Sequence, residues 1–222
     1  LPMRILFKLI SIFIIVIDMH FLTQELSFPN TNESSPDGLL AIGGDLSTER
    51  LVLAYESGIF PWFEEGDPIM WWSPKQRMVL FLDELVVSHS MRNVINKNVF
   101  QVTFNTAFRE VIQNCQSVKR EGQYGTWITN DMIESYCKLH ELGKAMSIEV
   151  WQNDTLVGGL YGVDMFPIFC GESMFSKVSN ASKMAFIALV NYLKTNHYNL
   201  LDCQIYNDHL ASLGCREIPR ED

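Results

Sequence analysis

The sequence predicts an α+β protein: a small N-terminal domain, then a larger part in which a mixed sheet is flanked by helices. Three stretches carry that expectation. Ala145 to Ser176 (AMSIEVWQNDTLVGGLYGVDMFPIFCGESMFS) alternates with period two through three consecutive strands, with Asn153-Asp154 at the first turn and a second turn near Asp164 to Pro167. Ser179 to His197 carries the clearest helical stripe, through Ala181, Met184, Ala185, Ala188, Leu189, Tyr192 and Leu193, with Ser179 or Asn180 as its cap. Leu200 to Gly214 (LLDCQIYNDHLASLG) reads as a buried strand running out into a polar loop or short helix. Residues two apart on a strand share a face, so Asp202 and Gln204 project together while Cys203 points away. A carboxylate and an amide held side by side at a strand end suit a reaction site; on this stretch alone, a pair that only satisfies neighbouring backbone groups is the competing account.

Bulk composition narrows the classes. The 222 residues are 47% hydrophobic and 19% charged, the balance of a folded chain with one large domain or a large one and a small companion. A net charge of -9 counts against a protein that coats nucleic acid and leaves room for a local basic patch. The five cysteines form no C-x-x-C pair, which argues against a zinc site or disulfide framework and for reduced thiols in a cytoplasmic protein. Met3 to Ile17 has two early positive charges and then an apolar run, like a signal-peptide start, but no small-residue cleavage site follows and the run is short for a membrane span. Residues 1–18 are therefore read as an apolar leader outside the mature fold, with Met19 as the natural start; a membrane anchor is the alternative.

The remaining elements follow in order. Phe28 to Asp37 is loop, and Gly43-Gly44 is a turn that needs unusual backbone angles, lacking the lysine and spacing of a phosphate loop. Asp45 or Ser47 caps a helix with Leu51, Ala54 and Tyr55 on its apolar face, and Gly58 ends it. Phe60 to Pro74 packs three tryptophans and three prolines into what reads as an irregular segment, a stacking surface for a base, with Lys75 and Arg77 adding positive charge. For any one of these tryptophans, plain core is the competing account. A second domain, 76–222, begins near Gln76 after a first of 19–75. Within it Met78–Leu82 and Val99–Phe104 read as strands, Thr106–Cys115 as a helix and Lys119–Tyr124 as a charged loop leading to Trp127. A further helix from about Asn130 to Gly143 carries Ile133, Tyr136, Cys137 and a core-edge His140 on one face. Gly158, Gly159 and Gly162 inside a strand suggest a bulge or a close approach. Glu172 falls on a largely buried strand, where a carboxylate is costly unless paired, so it binds a cation or an amine or else forms an ordinary ion pair.

Strand, strand, strand, helix, strand is the core order of the acetyltransferase-like (GNAT) fold. The loop before its helix, KVSNASK, lacks the glycine-rich pyrophosphate signature of acetyl-CoA users, so CoA is not the expected donor. From about Met19 to Arg220 the sequence resembles the bacterial leucyl/phenylalanyl-tRNA-protein transferases, through GLLAIGGDLS, GIFPWF, DPIMWWSP, GTWIT, SIEVW, LVGGLYGV, FCGESMFS, NASK, LDCQIYNDH and SLGCREIPR. That resemblance implies an aminoacyltransferase that moves Leu or Phe, and Met less well, from Leu-tRNA or Phe-tRNA to the α-amine of proteins beginning with Arg or Lys, marking them for N-degron degradation. It implies no ATP, metal or CoA, because the aminoacyl ester is already activated, and no stable membrane association.

By the same resemblance Asp202 and Gln204 form the catalytic relay, and Glu172 and Asn207 bind substrate beside them. Leu160, Phe169, Met174 and Leu189 wall the side-chain pocket, and Trp62 and Trp127 lie near the terminal adenosine. Leu160 stands where some relatives carry methionine, and relatives continue beyond EIPR, so a C-terminal truncation is expected. A basic tract near Lys75, Arg77, Lys119 and Arg120 is expected to meet the RNA. Two other accounts compete: a cysteine nucleophile, Cys170 or Cys203 with His209, and a non-catalytic module that binds the tRNA 3′ end.

Overall fold

The computed structural model describes residues 19–118 and 127–222. The leader and the charged loop with Lys119 and Arg120 lie outside the described residues. Among the described residues the N-terminal part builds a four-stranded sheet from β1 (His20–Leu22), β2 (Leu39–Gly43), β3 (Phe60–Pro61) and β4 (Met70–Trp72), ordered β1-β2-β4-β3. Between β2 and β3 runs α1 (Thr48–Glu56), opened by Ser47, whose hydroxyl accepts the Arg50 N–H at 3.4 Å, and closed by Gly58 at φ 70°. Its stripe of Leu51, Ala54 and Tyr55 is buried, as the spacing predicts. The tryptophan-rich stretch is not irregular: β3 and β4 pair antiparallel across it. Trp71 is fully buried and donates its indole N–H to the Gly43 carbonyl at 2.9 Å, so one of the three tryptophans is core rather than a stacking surface.

The larger sheet has seven strands among the described residues: β5 (Gln76–Phe81), β6 (Gln101–Phe104), β7 (Ala145–Gln152), β8 (Thr155–Met165), β9 (Ile168–Ser176), β10 (Leu200–Asp202) and β11 (Arg216–Pro219), ordered β11-β5-β10-β9-β8-β7-β6. It is mixed because β10 inserts parallel to β9 and antiparallel to β5. The helices are α2 (His89–Asn96), α3 (Phe108–Ser117), α4 (Asn130–Glu141), α5 (Ala181–Thr195) and α6 (Asp208–Ala211). The predicted run of three strands, helix and strand is β7-β8-β9-α5-β10. Sequence reasoning missed α2, whose short stripe of Met91, Val94 and Ile95 spans little more than one turn and buries only Met91 fully. His140 is a core-edge residue as expected, stacked on Phe108 at 4.4 Å with its Nδ1 2.9 Å from the Ala145 carbonyl.

α5 covers one face of the large sheet with Ala185, Phe186, Leu189 and Leu193, packed on Ile148, Leu160 and Phe169. The opposite face meets α3, α4 and the N-terminal part in one continuous core, in which Leu40, Leu51 and Trp71 join Val111, Tyr136 and Phe175. Neither Ser179 nor Asn180 caps α5 through its side chain; Ser176, at the end of β9, accepts the Ser182 N–H at 3.3 Å instead. Among the described residues no helix is long and apolar enough to cross a membrane.

The strand glycines mark both a close approach and a bulge. A Cβ on Gly158 would lie 2.5 Å from that of Ala181, so glycine lets the start of α5 settle on β8. At Gly162 a Cβ would meet the Cys170 carbonyl oxygen at 2.3 Å and the Phe169 ring at 2.5 Å. Gly162→Ala is therefore expected to lower stability by about 1–3 kcal/mol. The reading is a drop in urea midpoint at unchanged slope; an unchanged midpoint would show that the strands shift freely.

Candidate active site

The site opens where β9 and β10 part. Their parallel pairing lasts three residues, Leu200 to Asp202 against Ile168 to Cys170. Past that point β9 slips register with β8: Tyr161 faces Ser173 and Gly162 faces Gly171, so Glu172 has no cross-strand partner and is the extra residue of a bulge. Bulges re-aim side chains, and this one turns Glu172 into the opening. On the other side β10 ends at Asp202, and Gln204 is not in the strand. The Ile205 N–H closes on the Cys203 carbonyl at 2.8 Å, a γ-turn with Gln204 at its centre and φ 66°. The expected alternation from Asp202 to Gln204 is thus corrected: a turn, not a pleat, aims Gln204. A left-handed non-glycine residue is costly, and it persists because Asp202 Oδ1 accepts the Gln204 N–H at 2.8 Å and Met78 donates to the Gln204 carbonyl at 3.2 Å.

Glu172 collects donors from three parts of the chain. Its Oε1 accepts Tyr55 Oη and Gln204 Nε2, each at 2.7 Å, and its Oε2 lies 3.2 Å from Tyr136 Oη. Tyr55 and Tyr136 also hydrogen-bond to each other. Two phenols supply two protons to three oxygen–oxygen contacts, so the third contact is completed when Glu172 itself carries a proton. Burial pushes the Glu172 carboxyl up to about 7 from its ordinary 4.5, against the pull of the hydrogen bonds from Tyr55, Gln204 and Tyr136. With Nε2 committed to Glu172, the Gln204 carbonyl oxygen is the end left to accept from a ligand.

Asp202 lies beneath this pair, 9% exposed, and forms an ion pair with Arg77 of β5. Arg77 is itself 7% exposed, donates to the Gly58 carbonyl at 3.2 Å and lies 5.0 Å above the Phe60 ring. Burial opposes its charge, but the Asp202 carboxylate outweighs burial and holds the guanidinium protonated. Arg77 is therefore a structural partner of Asp202 and not the surface cation expected beside a nucleotide, whereas Lys75 is exposed. Asp202 reaches Gln204 through the main-chain N–H and not through the side-chain amide, whose nitrogen goes to Glu172.

A cavity of about 470 Å³ fills the opening, with Glu172, Gln204 and Asn207 on its polar side. Leu160, Met174 and Leu189 line its apolar side together with Phe186, while Trp62 and Trp127 line its flank. Phe169 does not reach the wall. It is fully buried one layer down, where β9 still pairs with β10 and its side chain packs into the core below Gly162. Asn207 caps α6, its Oδ1 accepting the His209 N–H at 2.9 Å, which leaves its amide nitrogen as a donor. Trp72 braces the flank, its indole N–H bonded to the Trp62 carbonyl at 2.7 Å. Tyr55 and Tyr136 were legible only as members of apolar helix stripes, and no sequence signal separates their hydroxyls from those of other buried tyrosines.

Neither cysteine named as a nucleophile has the lowered thiol that an acyl-enzyme mechanism needs. Burial raises the Cys170 thiol well above its ordinary value, and the Cys203 thiol is raised by its hydrogen bond to Cys215 and by burial. Among the described residues no group of three or more His, Cys, Asp or Glu side chains is placed to hold a metal ion.

The mixed sheet, with its central parallel pair parting over an apolar cavity and a helix crossing between β9 and β10, has the layout of an acetyltransferase-like fold. The family described as leucyl/phenylalanyl-tRNA protein transferase matches residues 79–222, and the N-terminal domain of that family matches residues 44–75. A leucyl/phenylalanyl-tRNA–protein transferase of Flavobacterium psychrophilum is 88% identical over 204 residues, 92% of this chain and 97% of that protein. One from Flavobacterium johnsoniae is 66% identical, over 92% of this chain and 96% of that protein. The chain belongs to the leucyl/phenylalanyl-tRNA protein transferase family. Among solved structures, FemX aligns with a TM-score of 0.49 and 11% identity over 78% of this chain and 66% of its own.

Proposed function

We propose that the cavity transfers Leu or Phe from aminoacyl-tRNA to the α-amine of a protein that begins with Arg or Lys, marking it as an N-degron. The observation that carries this reading is the 2.7 Å bond between Gln204 and Glu172 at the edge of an apolar cavity. The donor's Leu or Phe side chain enters among Leu160, Phe186, Met174 and Leu189, and unbranched Met174 suits a pocket that takes two shapes. The terminal adenosine lies along Trp62 and Trp127. The acceptor amine, with an ordinary pKa of about 7.7 to 8.0, sheds its proton near neutral pH. It approaches the Gln204 carbonyl oxygen, while the Glu172 carboxylate attracts the cationic end of the acceptor.

The amine nitrogen forms a bond to the ester carbonyl carbon, the bond to the ribose oxygen breaks, and the amine proton leaves along the Gln204–Glu172 edge. The donor ester supplies the driving force, and alignment of two bound substrates supplies much of the rate. Residues 19–75 and 76–222 are the units proposed to carry RNA contact and chemistry, with Lys75, Lys119 and Arg120 as candidate cations.

The test measures labelled Phe passing from Phe-tRNA to peptides beginning with Arg or Ala. Transfer to the Arg peptide alone is expected, falling at least about 10²-fold in Gln204→Ala. Binding of uncharged tRNA without any transfer by the folded wild type would replace this reading with the RNA-binding module.

A further inference from the structure

Cys203 and Cys215 stand at the two ends of the segment that carries Gln204, Asn207 and α6. Cys203 lines the cavity, between Asp202 and Gln204 in the chain, and Cys215 is buried directly behind it. Their sulfur atoms are 3.8 Å apart and share a hydrogen bond. Cys203 also supplies the carbonyl that closes the γ-turn, and its N–H is bonded to the Met78 carbonyl at 2.7 Å. Nothing in the transfer chemistry needs either thiol.

We propose that Cys203 and Cys215 form an oxidation site in the cavity wall, at which a small peroxide converts the two thiols to a disulfide and stops aminoacyl transfer. The sulfur of Cys203, a residue of the cavity wall, attacks one peroxide oxygen: an S–O bond forms, the O–O bond breaks and water leaves with the thiol proton. The Cys215 sulfur then attacks that of Cys203 from 3.8 Å; the S–S bond forms, the S–O bond breaks, and the departing hydroxide takes the remaining thiol proton as a second water. Two thiols and one peroxide thus give one disulfide and two waters. The hydrogen bond from Cys203 holds the Cys215 thiol below its ordinary value, which favours it as the thiolate of the second step.

Closing the bond brings sulfurs now 3.8 Å apart to about 2.05 Å. The pull acts on the residue whose carbonyl holds Gln204 at φ 66°, so it moves the amide that lies 2.7 Å from Glu172. Misplacement of that order costs about 10²-fold in rate.

The inhibition half of the inference rests on the transfer reading; the cross-link half does not, because mass spectrometry reads it without any activity. The full-length protein is treated with a small excess of hydrogen peroxide, then digested without reductant and assayed in parallel. A peptide linked through positions 203 and 215 is expected, with transfer lowered about 10²-fold and restored by dithiothreitol. Cys215→Ser is expected to match the untreated wild type, give no linked peptide and keep its transfer through the same exposure. A wild type without the link, a link that leaves transfer intact, or equal loss in wild type and Cys215→Ser would each overturn the proposal.

Discussion

Glutamine in place of Glu172 is expected to make the protein more stable at pH 8 and a poorer catalyst. The folded state raises the Glu172 carboxyl from 4.5 to about 7, chiefly by burial. A carboxyl whose folded value lies above its unfolded one contributes stability that is complete below the unfolded value and is lost as pH rises through the folded one. Charging Glu172 inside the tyrosine cluster therefore costs up to about 3 kcal/mol above pH 7, an upper value because one side opens to the cavity. Urea unfolding at pH 5 and pH 8 is expected to show wild-type stability falling with pH relative to Glu172→Gln. Parallel profiles would mean that Glu172 is solvated like a surface residue. Transfer moves the other way: wild-type kcat/KM for an Arg peptide rises with pH through about 7 as the carboxylate forms. The glutamine variant is expected to lack that rise and to lose about 10- to 10²-fold at pH 8, the worth of a charge-assisted contact.

Replacing Arg77 by methionine is expected to cost about 3–5 kcal/mol, because it leaves Asp202 buried without its counter-charge. The double variant Arg77→Met, Asp202→Leu removes both charges and is expected to recover most of that loss, as paired apolar replacements of buried ions often do. Transfer is not expected to recover, since Asp202 Oδ1 also accepts the Gln204 N–H that steadies the γ-turn. Asp202→Asn keeps an acceptor there and separates the two roles. A double variant with full transfer would show that Gln204 holds its turn without Asp202.

The parts of the fold that follow from local pattern were readable from the chain. The period-two run after Ala145 and the stripe of α5 each record one buried face, and the sheet order follows once β10 is allowed to insert beside β9. Leu39–Gly43 is too short and too uniformly apolar to declare itself a strand, yet it anchors the N-terminal sheet. In the site, Asp202, Gln204 and Glu172 are legible because polar residues in apolar strands are conspicuous. What holds them is not. Tyr55 meets Tyr136 across 81 residues and Glu172 across 117, and pairings at that distance leave no periodic trace. Arg77 looked like surface charge because its neighbour Lys75 is one. Phe169 and Met174 are five apart, which plain alternation would set on opposite faces; the bulge at Glu172 brings both to the face under α5, and only Met174 lies past the point where β9 and β10 part, so it alone reaches the wall.

The contact between Tyr55 and Glu172 bears on how such a protein can change over generations. Tyr55 belongs to the small N-terminal part, yet its hydroxyl completes the surroundings of a carboxyl in the large sheet. The two parts are therefore not interchangeable cassettes. A graft that brings a new N-terminal piece must also bring a hydroxyl to the same point, and a drift in α1 that rotates position 55 away is felt at Glu172. In this chain a change on either side of that contact has to suit both parts.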